Sequence, residues 1–391
     1  MEQLKPRALL YSIAAGIGGS GLDAVALETL KCAEAGDFLG LAVAYSNNQR
    51  VIPARRIAEL RYHPVKALSF LPKKYYIGAK KHALDAYTAA RLRSGSYDFL
   101  HTWSGDSLAS LREANKRGLP AVLEVPTWHR NKGKVKPNVT KSERERDAAP
   151  FPKSVLNSLL VTRQQVMEEY DRANLIFVLS EKARETFRIA GIPEEKLFMM
   201  HRGVDVEKFT PAPAPPGKFR AIFVGALIKR KGVHLLLEAW RKLNLRDAEL
   251  VLVGSVQKEM EPYLKEFGGD DIKVLGFTPN VAAELRQSSI HVFPTELEGS
   301  AKATYEAAAC GLPQITTREA GDVVVDGATG WIIPPNDLDA LCGALRRAYD
   351  DRPTIAAYGA AARQRVTENF TWDHFRSRVR VAYDLALRMV K

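Results

Sequence analysis

The chain has 391 residues, 46% of them hydrophobic and 26% charged, and carries a formal net charge of +12. That length suits two domains of ordinary size, and no apolar run reaches the ~18 residues of a membrane span. Three cysteines, Cys32, Cys310 and Cys342, show no CxxC spacing; they argue against a disulfide framework or a cysteine zinc site and fit a reducing, cytoplasmic compartment.

In chain order, the opening apolar run reads as a first strand over 8–14. A signal peptide is disfavoured, because Gly-rich sequence follows and no cleavage site does. A helix over 22–35 and a strand over 39–45 come next. Strands at 99–102 and 121–125 flank a helix over 107–117; a strand at 175–179 leads to a helix over 181–190. Residues 128–149 are polar and aperiodic and predict a long mobile loop, either an acceptor-binding lid or plain disorder. A stiff Pro-rich linker is expected at 210–217. The alternation then restarts. Strands are expected at 221–224, 249–253, 272–275, 290–293, 313–316 and 331–333; helices at 233–243, 260–267, 281–287, 301–310 and 338–349. An amphipathic helix fills 370–389. Two successive βαβ series predict two doubly wound sheets, with ligand bound at the carboxyl ends of the strands.

The charge is uneven: residues 1–205 carry a net +10 and residues 206–391 a net +2. A basic first half suggests an anionic partner: a phosphorylated or lipid-diphosphate acceptor, an anionic membrane surface met near Tyr75–Lys81, or nucleic acid. The alternative is a solvated surface that aids solubility. No helix-turn-helix, zinc-finger or RNP pattern is present, so a nucleic-acid partner is not expected.

The most informative segment is Glu298-Gly-Ser-Ala-Lys-Ala-Thr-Tyr-Glu306-Ala-Ala-Ala-Cys-Gly311-Leu-Pro313. Good helix formers over 301–310 place a helix start near Ser300–Lys302, where unpaired N–H groups and the dipole favour an anion. A phosphate there would have Glu298 on one side and Glu306 on the other, each able to hold a sugar hydroxyl. The bland reading is a capped helix with two surface glutamates. Arg230 and Lys231 stand just before Gly232 at another helix start, where the dipole repels them unless an anion intervenes. Gly16-Ile-Gly18-Gly19-Ser20-Gly21 follows the first strand and is either a tight turn or a place for close backbone approach to a diphosphate.

The pattern Glu298, Glu306, Ala307, Ala309, Gly311 and Pro313 resembles the signature of the family 4 retaining glycosyltransferases, of the "glycosyl transferases group 1" type. The run from Glu319 through Asp326, Gly327, Gly330 and Pro335 to Asp337 is similar to that family's following block. Phe223-Val-Gly225-Ala-Leu-Ile-Lys229-Arg230-Lys231-Gly232 is similar to its phosphate-binding turn. The matching blocks fall in family order over about half the chain.

The resemblance implies a GT-B fold: two facing Rossmann-like domains with a cleft between them and a last helix crossing back to the first. It implies an acceptor-binding domain over 1–205, a nucleotide-sugar domain over 206–370, and the crossing helix over 371–391. It implies transfer of a sugar from a UDP- or GDP-linked donor to a saccharide or lipid-linked acceptor, with retention. No cofactor is implied, and no metal. Glu298, Lys231 and His129 would be catalytic, and Glu306 would hold the ribose. Gly18, Gly19, Arg230, Lys231, Ser300, Ala301, Lys302 and Ala303 would bind the diphosphate. For His129 the alternative is a loop residue packed on an aromatic ring; His101 is a weaker candidate.

Two departures stand out. Ala226 replaces an Arg that many members carry, leaving Arg230 or Lys229 to supply the contact. Ser300-Ala301-Lys302 replaces a common Phe-Gly-apolar turn. They motivate an alternative, a GT-B pseudoenzyme acting as a partner subunit. The expected location is the cytoplasm, with peripheral membrane contact at its inner face as the further option.

Overall fold

A computed structural model describes residues 8–61, 63–132, 134, 140–213 and 217–389. The chain divides into two compact units. Unit 1 comprises Met1–Val178, Ala183–Met200 and Phe375–Lys391; unit 2 comprises Leu179–Lys182 and His201–His374.

In unit 1 a parallel sheet runs, edge to edge, Ile57–Glu59, Leu39–Ala44, Leu9–Ser12, Phe99–Trp103, Ala121–Glu124, Leu175–Val178 and Leu197–Met199. The central strands are buried along their whole length, which is why they read as continuous apolar runs rather than alternating ones. Leu10, Val43, Leu100, Leu123 and Ile176 form the middle of the core. Strand order reverses on either side of Leu9–Ser12, the position where such sheets open a crevice at their carboxyl ends.

The helix Trp372–Arg388 belongs to unit 1 from Phe375 onward. Its buried Tyr383 packs edge-on to Phe38 and Phe99, and its hydroxyl lies 2.6 Å from His101 Nδ1.

Unit 2 repeats the plan with six parallel strands: Ile272–Gly276, Ala248–Val253, Phe219–Val224, Ile290–Phe293, Gln314–Thr316 and Gly330–Ile332. The helix Val233–Leu243 buries Val233, Leu236, Leu237 and Trp240 at helical spacing against Phe219, Leu250 and Ile315. Trp240 keeps its one polar atom satisfied by donating to Asp271 Oδ2 at 2.7 Å.

The main departures from the sequence reading are unpredicted helices. Lys73–Ser94 buries Tyr75, Gly78, Ala79, Leu84, Asp85, Thr88, Ala89 and Leu92. The spacing is helical, but five of those eight residues are small or polar, so hydrophobicity carried no period. Arg352–Asn369 has the same cause: its buried face includes Gly359 and Ala362.

The loop expected over 128–149 is corrected in part. Lys141–Asp147 is a helix with a capping box between Thr140 and Glu143, and Glu143 is held by Arg163 at 3.2 Å. Residues 133 and 135–139 of that loop, and 214–216 of the linker, lie outside the described residues. No helix among the described residues is long and apolar enough to cross a membrane.

Candidate functional site

In unit 2 two loops leave the carboxyl ends of the adjacent parallel strands Phe219–Val224 and Ile290–Phe293. The first forms a short turn at Lys229–Lys231 and ends at Gly232, whose φ of 73° opens the helix Val233–Leu243. A Cβ on Gly232 would sit 2.1 Å from the carbonyl oxygen of Pro294, so glycine is what lets the two loops touch.

That contact puts cations beside a carboxylate. Lys231 Nζ lies 3.3 Å from Glu298 Oε1 and rests over the Phe293 ring at 5.2 Å. Arg230 Nη1 lies 3.2 Å from the same oxygen and also donates to the Leu297 carbonyl. Lys229 turns elsewhere, with its ammonium 4.7 Å from the Tyr263 ring centre. Of the two residues that could replace the Arg missing at Ala226, Arg230 is therefore the one at the site.

The second loop is pinned along its length. Glu298 N–H donates to the Glu319 carbonyl at 3.0 Å, and Ala301 N–H to the Ala320 carbonyl at 2.8 Å. Ser180 Oγ donates to the Gly299 carbonyl at 2.8 Å, and Arg202 Nε to the Ser300 carbonyl at 3.0 Å. The sequence reading missed Ser180 and Arg202. Both lie more than ninety residues from the loop in sequence, and no motif marks them.

The helix Lys302–Ala309 starts here, one residue inside the expected start, and no side chain caps it. The Ser300 hydroxyl is 2.8 Å from the Tyr305 hydroxyl instead. The N–H groups of Lys302 and Ala303 have no acceptor within the helix, and among the described residues none is found outside it. Standing at the positive end of the helix dipole, such N–H groups are suited to an anion. Ser300, Ala301 and Ala303 are buried, whereas the Lys302 side chain is half exposed.

Glu306, one turn in, is buried, and its Oε1 lies 2.6 Å from Lys302 Nζ. Burial raises its pKa above the ordinary glutamate value, and Lys302 opposes that rise. Each glutamate of the motif thus has cations of its own: Arg230 and Lys231 for Glu298, Lys302 for Glu306.

The remaining candidates lie in unit 1. Gly18 and Gly19 adopt φ of 80° and 134° in a turn where Gly18 N–H donates to the Asp23 carbonyl at 3.0 Å. Gly18 is buried and Gly19 exposed, and the backbone geometry by itself requires glycine at both.

His129 is 0% exposed. Its ring lies 4.9 Å from that of Tyr170 and 5.0 Å from that of Phe187, and Nδ1 accepts from Asn131 N–H at 3.2 Å. Burial, helped by Arg163, lowers its pKa to about 4. His129, expected to meet donor or acceptor, is thus enclosed in this structure by Tyr170 and Phe187 rather than packed on Trp128. His101 is equally enclosed, between Tyr383 and Glu124, the latter at 3.5 Å.

Among the described residues, no group of three or more His, Cys, Asp or Glu could hold a metal ion. The three cysteines are free and buried.

Comparison with known proteins adds to this geometry. Residues 218–351, which contain both loops, match the family model described as Glycosyl transferases group 1. A GDP-mannose-dependent alpha-(1-6)-phosphatidylinositol monomannoside mannosyltransferase of Mycolicibacterium smegmatis is 27% identical, over 55% of this chain and 63% of that protein. The chain spans about 60% of the length of the first curated relatives it matches.

Among solved structures, a sucrose-phosphate synthase from Thermosynechococcus elongatus superposes with a TM-score of 0.71 at 18% identity, over 97% of this chain and 98% of that one. Anabaena HepE in complex with UDP-glucose gives 0.69 at 16% identity, over 97% and 99%. These likenesses show the fold, the GT-B class of α/β protein with a Rossmann-like parallel sheet in each unit.

Proposed function

We propose that this protein is a retaining glycosyltransferase that moves a sugar from a nucleoside diphosphate to an acceptor hydroxyl, in the synthesis of a glycan, polysaccharide or glycolipid. The observation that carries the reading is the convergence of Lys231 and Arg230 on Glu298, beside the uncapped start of the helix Lys302–Ala309. Cations and free N–H groups gathered at adjacent strand ends suit a diphosphate; the half-buried Glu298 and the buried Glu306 beside them suit sugar hydroxyls. The family match over 218–351 supports the same reading, as do a relative named for GDP-mannose and a structural neighbour holding UDP-glucose.

In the reaction the bond from the anomeric carbon to the diphosphate oxygen breaks, and a bond to the acceptor oxygen forms on the same face. The acceptor proton passes to the leaving phosphate. The protein's contribution is electrostatic: Lys231, Arg230 and the N–H groups of Lys302 and Ala303 carry the charge that grows on the diphosphate. The phosphate takes over the two cations that Glu298 now holds, and Glu298 is released to a sugar hydroxyl. Glu306 accepts from the ribose hydroxyls. The chemistry is metal-independent, and the protein works in the cytoplasm, where its buried thiols stay reduced.

The test is a thermal-shift screen with UDP, GDP and ADP and their common sugars, with and without EDTA, followed by donor hydrolysis. A nucleotide at 100 times its Kd adds about 2.7 kcal/mol of stability. One nucleotide stabilising the protein in EDTA, with turnover of its sugar, supports the reading. Binding without any turnover would favour the pseudoenzyme, and no binding would overturn both.

A further inference from the structure

Unit 1 has a cavity of about 360 Å³ at the carboxyl ends of the strands Phe99–Trp103 and Ala121–Glu124. It is lined by the segments that leave those strands, Ser104–Gly105 and Val125–Thr127. Its apolar lining includes Ile77, Val161 and Trp128. Its charged lining residues are all basic: Lys74, Lys81 and Arg130. A cavity of this size takes a group about as large as one substituted sugar ring.

The nearby carboxylates do not neutralise it. Glu169 spends its carboxylate on the N–H groups of Gly105 at 2.6 Å and Ser107 at 3.1 Å. Asp106 accepts from Ala14 N–H at 2.7 Å and stands 3.9 Å from Lys81, so Lys81 is the cation already committed. Burial raises the pKa of both acids, Asp106 to about 7 and Glu169 to about 8, which further reduces their negative charge. Among the described residues neither Lys74 nor Arg130 is ion-paired to a carboxylate; the Lys74 ammonium rests only over the Tyr75 ring, 4.8 Å from its centre, and both residues are exposed. The positive charge of this chain is also concentrated in its first 205 residues.

We propose that this cavity is the seat of an anionic group on the acceptor, a phosphate ester or a sugar carboxylate, gripped by Lys74 and Arg130 with the sugar face laid against Trp128. The inference rests on the transferase reading and narrows it: the acceptor is a negatively charged molecule and not a neutral sugar. Arg130 supplies a planar fork suited to two oxygens, and Lys74 a point charge. Lys81, braced by Asp106, shapes the wall. The anion comes either from a soluble sugar phosphate or from a lipid-linked headgroup.

The experiment uses the whole protein and two probes. Glucose 1-phosphate, with methyl glucoside as its uncharged control, is titrated by calorimetry into the wild type, Lys74→Ala, Arg130→Ala and Lys231→Ala. Vesicles of phosphatidylcholine with a fifth of phosphatidylinositol are tested by co-sedimentation against the same set. All variants are first checked by thermal melts, since the two cavity positions are exposed. The expected result is binding of at least one charged probe that falls about tenfold in Lys74→Ala and in Arg130→Ala, one charge-assisted contact each, and persists in Lys231→Ala. Dependence with the sugar phosphate assigns a soluble acceptor; dependence with the vesicles alone assigns a lipid-linked one.

Binding lost only in Lys231→Ala would place the anion in unit 2 and overturn the proposal. Equal binding of the uncharged glycoside, or no binding of either charged probe, would do the same. Hydrolysis of a nucleotide sugar by the wild type without acceptor tests the transferase reading by itself. A protein that hydrolyses donor yet shows no Lys74 or Arg130 dependence keeps that reading and loses this inference.

Discussion

Lys302 Nζ lies 2.6 Å from Glu306 Oε1, four residues apart on one helix, and the glutamate side chain is 6% exposed. Lys before Glu is the less favourable order along a helix. The pair forms because a buried carboxylate needs a cation nearby. Ser300-Ala301-Lys302, which looked like a defect in the motif, thus supplies the charge that keeps Glu306 ionisable.

Lys302→Ala should therefore lower stability in a pH-dependent way. The folded-state pKa of Glu306 is raised by burial, so its contribution is fullest at low pH and declines as pH rises from the ordinary glutamate value through the raised one. Without Lys302 the rise is larger and the decline deeper. Because Lys302 is half exposed, the loss is discounted to about 1 kcal/mol at pH 8, with less at pH 5. Urea melts at the two pH values check this. Equal losses would mean that the pair acts through packing.

Lys231→Ala should reduce turnover on the order of 100-fold, the effect of removing one strong donor to a developing oxyanion. Lys229→Ala should cost far less, since its ammonium lies over Tyr263. Initial rates with saturating donor separate the two. Equal losses would show that both lysines reach the diphosphate.

Gly232→Ala should destabilise unit 2 by at least about 2 kcal/mol. The αL conformation costs a non-glycine residue ~1–2 kcal/mol, and the added methyl meets the Pro294 carbonyl oxygen at 2.1 Å. The readout is chemical denaturation, with nucleotide binding measured below the transition. A variant as stable as wild type would mean that the two loops separate freely.

His129 and His291 should stay neutral from pH 5 to pH 8. Burial lowers both pKa values to about 4. The folded state then binds fewer protons than the unfolded chain between pH 4 and the ordinary histidine value near ~6.5, so stability rises with pH across that window. Imidazole NMR shifts followed over the range test this. A His129 signal titrating near 6.5 would show that its ring opens to water, and would restore it as a candidate at the acceptor. Truncation in His129→Ala should cost ~3 kcal/mol, as for other large buried rings.

Much of this protein was legible in its sequence. Buried parallel strands are short apolar runs whatever surrounds them, so the central strands of both sheets, such as Leu9–Ser12 and Phe219–Val224, could be read directly. Glu298, Lys231 and Glu306 were legible because their spacing is tied to local events, a strand end, a glycine turn and a helix start. Lys73–Ser94 was not, because its buried face holds Gly78, Asp85 and Thr88, residues whose place inside is decided by what packs on them.

Other features arise only when distant segments meet. Asp85 accepts from the N–H groups of Ala109 and Ser110, Ser180 holds Gly299, and His129 is enclosed by Tyr170 and Phe187. The pairing of Glu298 with both Arg230 and Lys231 belongs with these. Sequence placed the three residues near strand ends, but only the adjacency of Phe219–Val224 and Ile290–Phe293 in one sheet brings their charges within 3.3 Å. Local chemistry determines which segments are strands, turns and helix starts; which of them become neighbours is decided by burial of the whole sheet, and that is where the site acquires its geometry.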